Sequence, residues 1–222
     1  MKKKLFFVLI LPLHVFNVWA QGGELPVKEW GSHAQNPFVL YISGDGGFNR
    51  FSLDLCNVLH SSGYSVTAVD AKSYFWHKKT PEQSALDIGM YLKKEFNGRQ
   101  NQDLVLVGYS FGADVLPFII QKLPSSLRSK IRSTILISPS ATTDFEIHMT
   151  DIFGYAAKRN MDVPAEINKL TDEKIVTIFG DDESDFPVSR IRINKYTNLV
   201  LPGGHHFNGE TDILAHTLIK YF

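Results

Sequence analysis

The sequence has a single cysteine, Cys56, so no intramolecular disulfide can brace the fold and no multi-cysteine metal cluster can form. Beyond residue 20, no apolar run approaches the roughly 20 residues that a membrane-spanning helix needs. Lys and Arg number 23 and Asp and Glu also 23, so the chain has no basic surplus of the kind that nucleic-acid binding requires. Internal repeats and low-complexity tracts are missing too, which sets aside solenoids and disordered linkers. What remains is a 222-residue chain, 44% hydrophobic and 21% charged, enough for one domain with a sizeable core.

The first twenty residues stand apart. Lys2-Lys3-Lys4 is a basic start, Leu5 to Val18 is mostly apolar, and Val18-Trp19-Ala20 resembles a small-residue cleavage site before Gln21. Pro12, His14 and Asn17 interrupt the apolar run, which favours removal over retention as an anchor. The expected organisation is a signal peptide over 1–20 and a single domain over 21–222, exported to the periplasm. Removing 1–20 takes three lysines and no acids, leaving 20 basic against 23 acidic residues.

Residues 21–35 are polar and glycine-rich and read as a lead-in. Apolar runs over 38–42, 64–69, 104–109, 131–137, 174–179 and 197–201 predict about six strands. They alternate mostly with helices over about 50–61, 80–96, 111–123 and from 209 onward. Thr80-Pro81-Glu82-Gln83 has the N-cap hydroxyl, first-turn proline and Gln of a capping box. Near-continuous apolar strands interleaved with helices describe a mostly parallel sheet covered on both faces, with its sites at the strand C-terminal ends.

Four such ends carry chemistry. Leu104 to Asp114 holds Gly108-Tyr109-Ser110-Phe111-Gly112 between a strand and a helix, which lifts Ser110 clear of the sheet and sets the Phe111 N–H beside it. Pro202-Gly203-Gly204-His205-His206-Phe207 follows the last strand and offers an imidazole base. The Gly-His-x-Phe arrangement favours His205, with His206 as the alternative. The loop Gly180 to Pro187 offers an acid to orient that imidazole. Spacing from Gly180 and Pro187 selects Glu183, while residue type favours Asp185, so both stand. Asp181 and Asp182 read as turn formers.

Ser43-Gly44-Asp45-Gly46-Gly47 suits a second oxyanion donor, from Asp45 or Gly46. Gly44-x-Gly46 with Asp70 at the next strand end also suggests a dinucleotide turn, but Asn49 stands where a third glycine belongs. His205, His206 and Glu210 lack a further ligand at metal-binding spacing, so neither metal nor cofactor is expected. The order serine, acid, histidine is that of α/β-hydrolases, which predicts that fold with a small cap segment at 140–172. Phe145, Ile147, Met149, Ile152, Phe153 and Tyr155 in that segment, with Tyr74, Phe75 and Trp76, could line an acyl-binding surface. Tyr74, Trp76 and Phe145 are the substrate-binding candidates.

Several extended stretches resemble the bacterial virulence protein VirJ/AcvB family. They are Ser43 to Gly47, Tyr74-Phe75-Trp76 with Thr80-Pro81-Glu82, Gly108 to Phe118, Asp144-Phe145-Glu146, and Leu201 to Phe207. The resemblance runs over nearly the whole mature chain and implies an exported α/β-hydrolase-fold protein. Its AcvB branch implies hydrolysis of aminoacyl-phosphatidylglycerol, a lysyl-lipid ester, with peripheral membrane contact. Its VirJ branch implies association with type IV secretion proteins, so the alternative is a non-catalytic periplasmic interaction module.

Overall fold

A computed structural model describes residues 25–31, 35–99, 101–148 and 159–222. The expected signal peptide and residues Met149, Ile152, Phe153 and Tyr155 lie outside them. In chain order the elements are β1 (Val27–Trp30), β2 (Phe38–Ile42), α1 (Arg50–Ser61), β3 (Ser65–Val69), α2 (Ala71–Tyr74), α3 (Pro81–Phe96), β4 (Leu104–Tyr109), α4 (Phe111–Lys122) and α5 (Ser125–Arg128). There follow β5 (Ile131–Ile137), β6 (Thr142–Thr143), β7 (Met161–Asp162), α6 (Val163–Ile167), β8 (Ile175–Gly180), β9 (Tyr196–Leu201) and α7 (Thr211–Ile219).

Seven strands form one sheet in the order β1-β3-β2-β4-β5-β8-β9, parallel except for β1, which pairs antiparallel with β3. The mostly parallel sheet of about six strands is as expected, with β1 as an added strand inside the segment read as a lead-in at 21–35. Val-Lys-Glu-Trp is short, and Lys28 and Glu29 are exposed, so β1 is a charged edge strand without an apolar run to betray it. The interior strands β2 and β4 are buried along their whole length, as the near-continuous apolar runs require.

Alternation within each strand divides the core in two. Phe38, Leu40, Ile42, Leu104 and Leu106 pack under α3 and α4, with Ala85, Ile88, Leu92, Val115 and Ile119. Val39, Tyr41, Val105, Val107 and Ile135 face α1 and α7, where Leu55, Leu59, Leu214 and Leu218 cover them. The capping box opens α3 as the sequence predicts: Gln83 N–H donates to Thr80 Oγ1 and Thr80 N–H to Gln83 Oε1, both at 3.1 Å. Of the 140–172 segment, the described part is a two-residue ladder (β6 with β7) followed by α6. Among the described residues no helix is long and apolar enough to cross a membrane.

Candidate active site

β4 and α4 meet at Ser110, whose φ of 52° is a left-handed conformation that costs a non-glycine residue roughly 1–3 kcal/mol. Two glycines make that corner possible. A Cβ on Gly108 would lie 2.6 Å from the Gly112 carbonyl oxygen, and one on Gly112 would lie 2.2 Å from that of Ile42. The first turn of α4 therefore sits directly on the ends of β2 and β4, and Ser110 projects at the sheet edge. Ser110 N–H donates to Ile137 O at 2.8 Å, fixing the corner to the end of β5.

His205 comes from the loop after β9. Its Nε2 lies 2.9 Å from Ser110 Oγ, and its Nδ1 lies 2.7 Å from Glu183 Oε1. The other Glu183 oxygen accepts from Ser138 Oγ at 2.6 Å and from Gly180 N–H at 2.7 Å. A Cβ on Gly180 would fall 2.2 Å from the Gly203 carbonyl oxygen, so only glycine lets the acid loop and the histidine loop approach this closely. The contacts bear on both choices left open by the sequence. Asp185 is exposed two residues beyond Glu183, and the oxygen bonded to His205 is that of Glu183. His206 points elsewhere, with its Nδ1 2.6 Å from Tyr109 Oη, which also donates to the His205 carbonyl at 3.1 Å.

Electrostatics follow the contacts. The hydrogen bond with Glu183 holds the His205 pKa above its ordinary value against the opposing effect of burial, and the charges of Asp45 and Asp114 add to it. Burial pushes the Glu183 carboxyl up, but its bonds with His205, Ser138 and Gly180 together hold it below the usual carboxylate range. The resulting state is a carboxylate bonded to Nδ1–H, which leaves Nε2 free to accept the Ser110 hydroxyl proton.

Beside Ser110 lies the 43–47 loop. A Cβ on Gly44 would be 3.3 Å from Ser110 Cβ, so this backbone touches the serine side chain and leads straight into Asp45 and Gly46. Ser43 Oγ anchors the loop by accepting from Ala71 N–H at 3.0 Å. Phe111 is the first residue of α4, and helix geometry gives its N–H no intrahelical acceptor. Asp70, which entered the dinucleotide reading, instead caps α2 through Ser73 N–H at 3.3 Å and Ser73 Oγ at 2.7 Å.

A cleft of about 370 Å³ opens beside His205, walled among others by Ser138, Ser140, Phe179, Asp185 and Phe186. Phe145 is not part of it. It is 2% exposed and lies edge-on to Phe75 and Phe118, at 5.8 and 6.1 Å, as a core residue under α4. The expectation of a substrate contact there fails because aromatic partners on both sides draw the ring inward. Tyr74 is buried as well, donating to Asp87 at 2.6 Å, whereas Trp76 is 43% exposed. Sequence reasoning missed Tyr109, Ser138 and Asp114. Only Asp114 left a trace, as a lone carboxylate in an otherwise apolar helix start. Among the described residues no cluster of metal-ligating side chains occurs.

Solved structures with the same fold include a lipase-esterase related protein from Clostridium acetobutylicum, 14% identical with a TM-score of 0.63, covering 90% of this chain and 100% of that one. Est1E from Butyrivibrio proteoclasticus is 14% identical at a TM-score of 0.60, covering 88% and 90%. The thioesterase domain from the curacin biosynthetic pathway is 16% identical at 0.56, covering 87% and 94%. The fold is that of the α/β-hydrolases. No curated protein matches the sequence. A family model described as bacterial virulence protein (VirJ) matches residues 36–222, and the chain belongs to that family.

Proposed function

We propose that this protein is an exported serine hydrolase that cleaves esters, with Ser110, His205 and Glu183 as its triad. The observation that carries the reading is the continuous hydrogen-bonded run from Ser110 Oγ through both nitrogens of His205 to Glu183. In this mechanism Nε2 takes the Ser110 proton as Oγ bonds to the ester carbonyl carbon. The carbonyl electrons move onto oxygen, which Phe111 N–H and Asp45 or Gly46 N–H receive. Collapse breaks the bond to the leaving alkoxide, which takes the proton from His205. Water then repeats the sequence on the acyl-enzyme and restores Ser110.

Family resemblance favours aminoacyl-phosphatidylglycerol as the substrate in this reading, cleaved at the periplasmic membrane surface to release the amino acid. Structural neighbours, a lipase-esterase related protein and a thioesterase domain, support acyl-transfer chemistry in general and no particular acyl group. Purified protein lacking residues 1–20 should be incubated with lysyl-phosphatidylglycerol vesicles and, separately, with p-nitrophenyl acetate, alongside Ser110→Ala. Release of lysine by the wild type alone is expected. Cleavage of the simple ester without the lipid would remove the substrate assignment. Inertness towards both would favour the interaction module associated with type IV secretion.

A further inference from the structure

We infer that Asp114 and Ser138 are positioning residues that close the triad into a ring behind its reacting face. This rests on the reading of Ser110, His205 and Glu183 as a catalytic triad. The front half of the ring is the run Ser110–His205–Glu183. The back half starts where the front half ends: Ser138 Oγ donates to Glu183 Oε2 at 2.6 Å. Two residues on, Ser140 N–H donates to Asp114 Oδ1 at 2.6 Å. Asp114 lies one helical turn beyond Ser110 on α4, and its own N–H donates to Ser110 O at 3.0 Å. Nucleophile, base and acid come from three separate strand ends, and this second path ties the acid's support to the nucleophile's helix.

Two features mark the back half as built rather than incidental. Ser138 has a φ of 50°, a conformation a serine holds only where its surroundings over-determine it. Its N–H donates to Ile178 O at 2.7 Å, its hydroxyl is fixed by Glu183, and Asp114 holds the chain two residues later. Asp114 is 2% exposed, a carboxylate buried where apolar packing would otherwise be favoured, and its partner is this loop. Arg159 and His205 are the charged and titratable groups that bear on it, and Ser140 supplies both a backbone and a side-chain hydrogen bond. Without the Ser138 hydroxyl, Glu183 Oε2 keeps only the Gly180 N–H, and the carboxylate is free to turn away from Nδ1.

The discriminating variants are Asp114→Ala, Asp114→Asn and Ser138→Gly. Asn keeps a carbonyl oxygen for Ser140 N–H, and a serine hydroxyl can turn to accept from its amide. Gly removes the hydroxyl while relieving the positive φ, so a folded protein is expected. With p-nitrophenyl acetate, Asp114→Ala and Ser138→Gly should each lower kcat by about tenfold to a hundredfold, the range a misplaced reacting group costs, with KM within about twofold. Asp114→Asn should stay within about threefold of wild type. The low-field proton resonance of His205 Nδ1–H should shift or broaden in the first two and persist in the third. Should Asp114→Ala not fold, Ser138→Gly and Asp114→Asn decide alone. Wild-type turnover with Ser138→Gly at full rate and an unmoved resonance overturns this inference by itself. A wild type that leaves the ester intact overturns the triad reading and this inference with it.

Discussion

Replacing Glu183 with glutamine changes one atom, and the structure dictates how the amide must turn. Ser138 O–H and Gly180 N–H, at 2.6 and 2.7 Å, both need an acceptor, so the amide oxygen takes the Oε2 position. The amide nitrogen then faces His205 Nδ1 at the 2.7 Å contact, with its own hydrogens pointing at the ring. Nδ1 must become the acceptor, and the imidazole proton moves to Nε2. There it points at Ser110 Oγ, and the serine has no base. Wrong-tautomer variants of this kind cost about 10³–10⁴ in kcat, equivalent to roughly 4–5.5 kcal/mol of barrier. KM should change little, because the acid does not touch substrate. Asp185→Asn, at an exposed carboxylate outside the run, should lower kcat/KM by less than about threefold. Steady-state kinetics on p-nitrophenyl acetate, with circular dichroism to verify folding, compares the two. Glu183→Gln within tenfold of wild type, or the large loss appearing in Asp185→Asn, would refute the reasoning.

Other consequences follow from the same contacts. His205 must be neutral to accept the serine proton and its pKa is raised, so kcat/KM should climb with pH through a midpoint above the ordinary 6.5, and Asp45→Asn should move that midpoint down. Burial pushes Asp114 up to about 7 from the usual 3.8, opposed by the hydrogen bonds from Ser140 and the charges of Arg159 and His205. A raised carboxyl favours the folded state while protonated, and that contribution is lost as pH rises from about 4 to about 7. The stability of Asp114→Asn relative to wild type should therefore grow over that window, by at most ~4 kcal/mol, in urea titrations at a series of pH values. Gly112→Ala drives a Cβ to 2.2 Å from the Ile42 carbonyl oxygen, so α4 must lift off β2. A loss of about 3 kcal/mol is expected, lowering Tm by roughly 6–12 °C on thermal scanning. An unchanged Tm would show that the corner is looser than drawn.

Local signals survived folding well. Thr80 and Gln83 form their capping box because both partners lie within one turn, where tertiary context has little say. Gly108 was legible for a similar reason, since the Gly112 carbonyl that crowds it lies four residues on, whereas Gly112 answers to the distant Ile42 carbonyl. Long-range choices were not. Glu183 and Asp185 are both carboxylates on the same loop, and only the 22-residue separation from His205, closed through Gly180 and Gly203, picks one. Ser138 and Asp114 act through partners 45 and 26 residues away, and neither separation has a sequence period. Phe145 looked like a lining residue because an aromatic beside a site-forming segment can face either way, and its neighbours Phe75 and Phe118 decided the matter. β1 escaped notice because an edge strand with charges on it lacks the apolar run by which interior strands announce themselves.

The central claim is that Ser110 is an activated nucleophile, and its most direct test is covalent capture by a fluorophosphonate probe. Purified protein should be labelled at Ser110, as located by peptide mass spectrometry, at a rate that rises with pH as His205 loses its proton. Ser110→Ala should take no label, and Glu183→Gln should label at least a hundredfold more slowly, in keeping with the ~10³-fold or greater loss of catalysis expected from the wrong tautomer. A folded wild-type protein that leaves the probe unreacted, or one that labels equally well without Ser110, would contradict it.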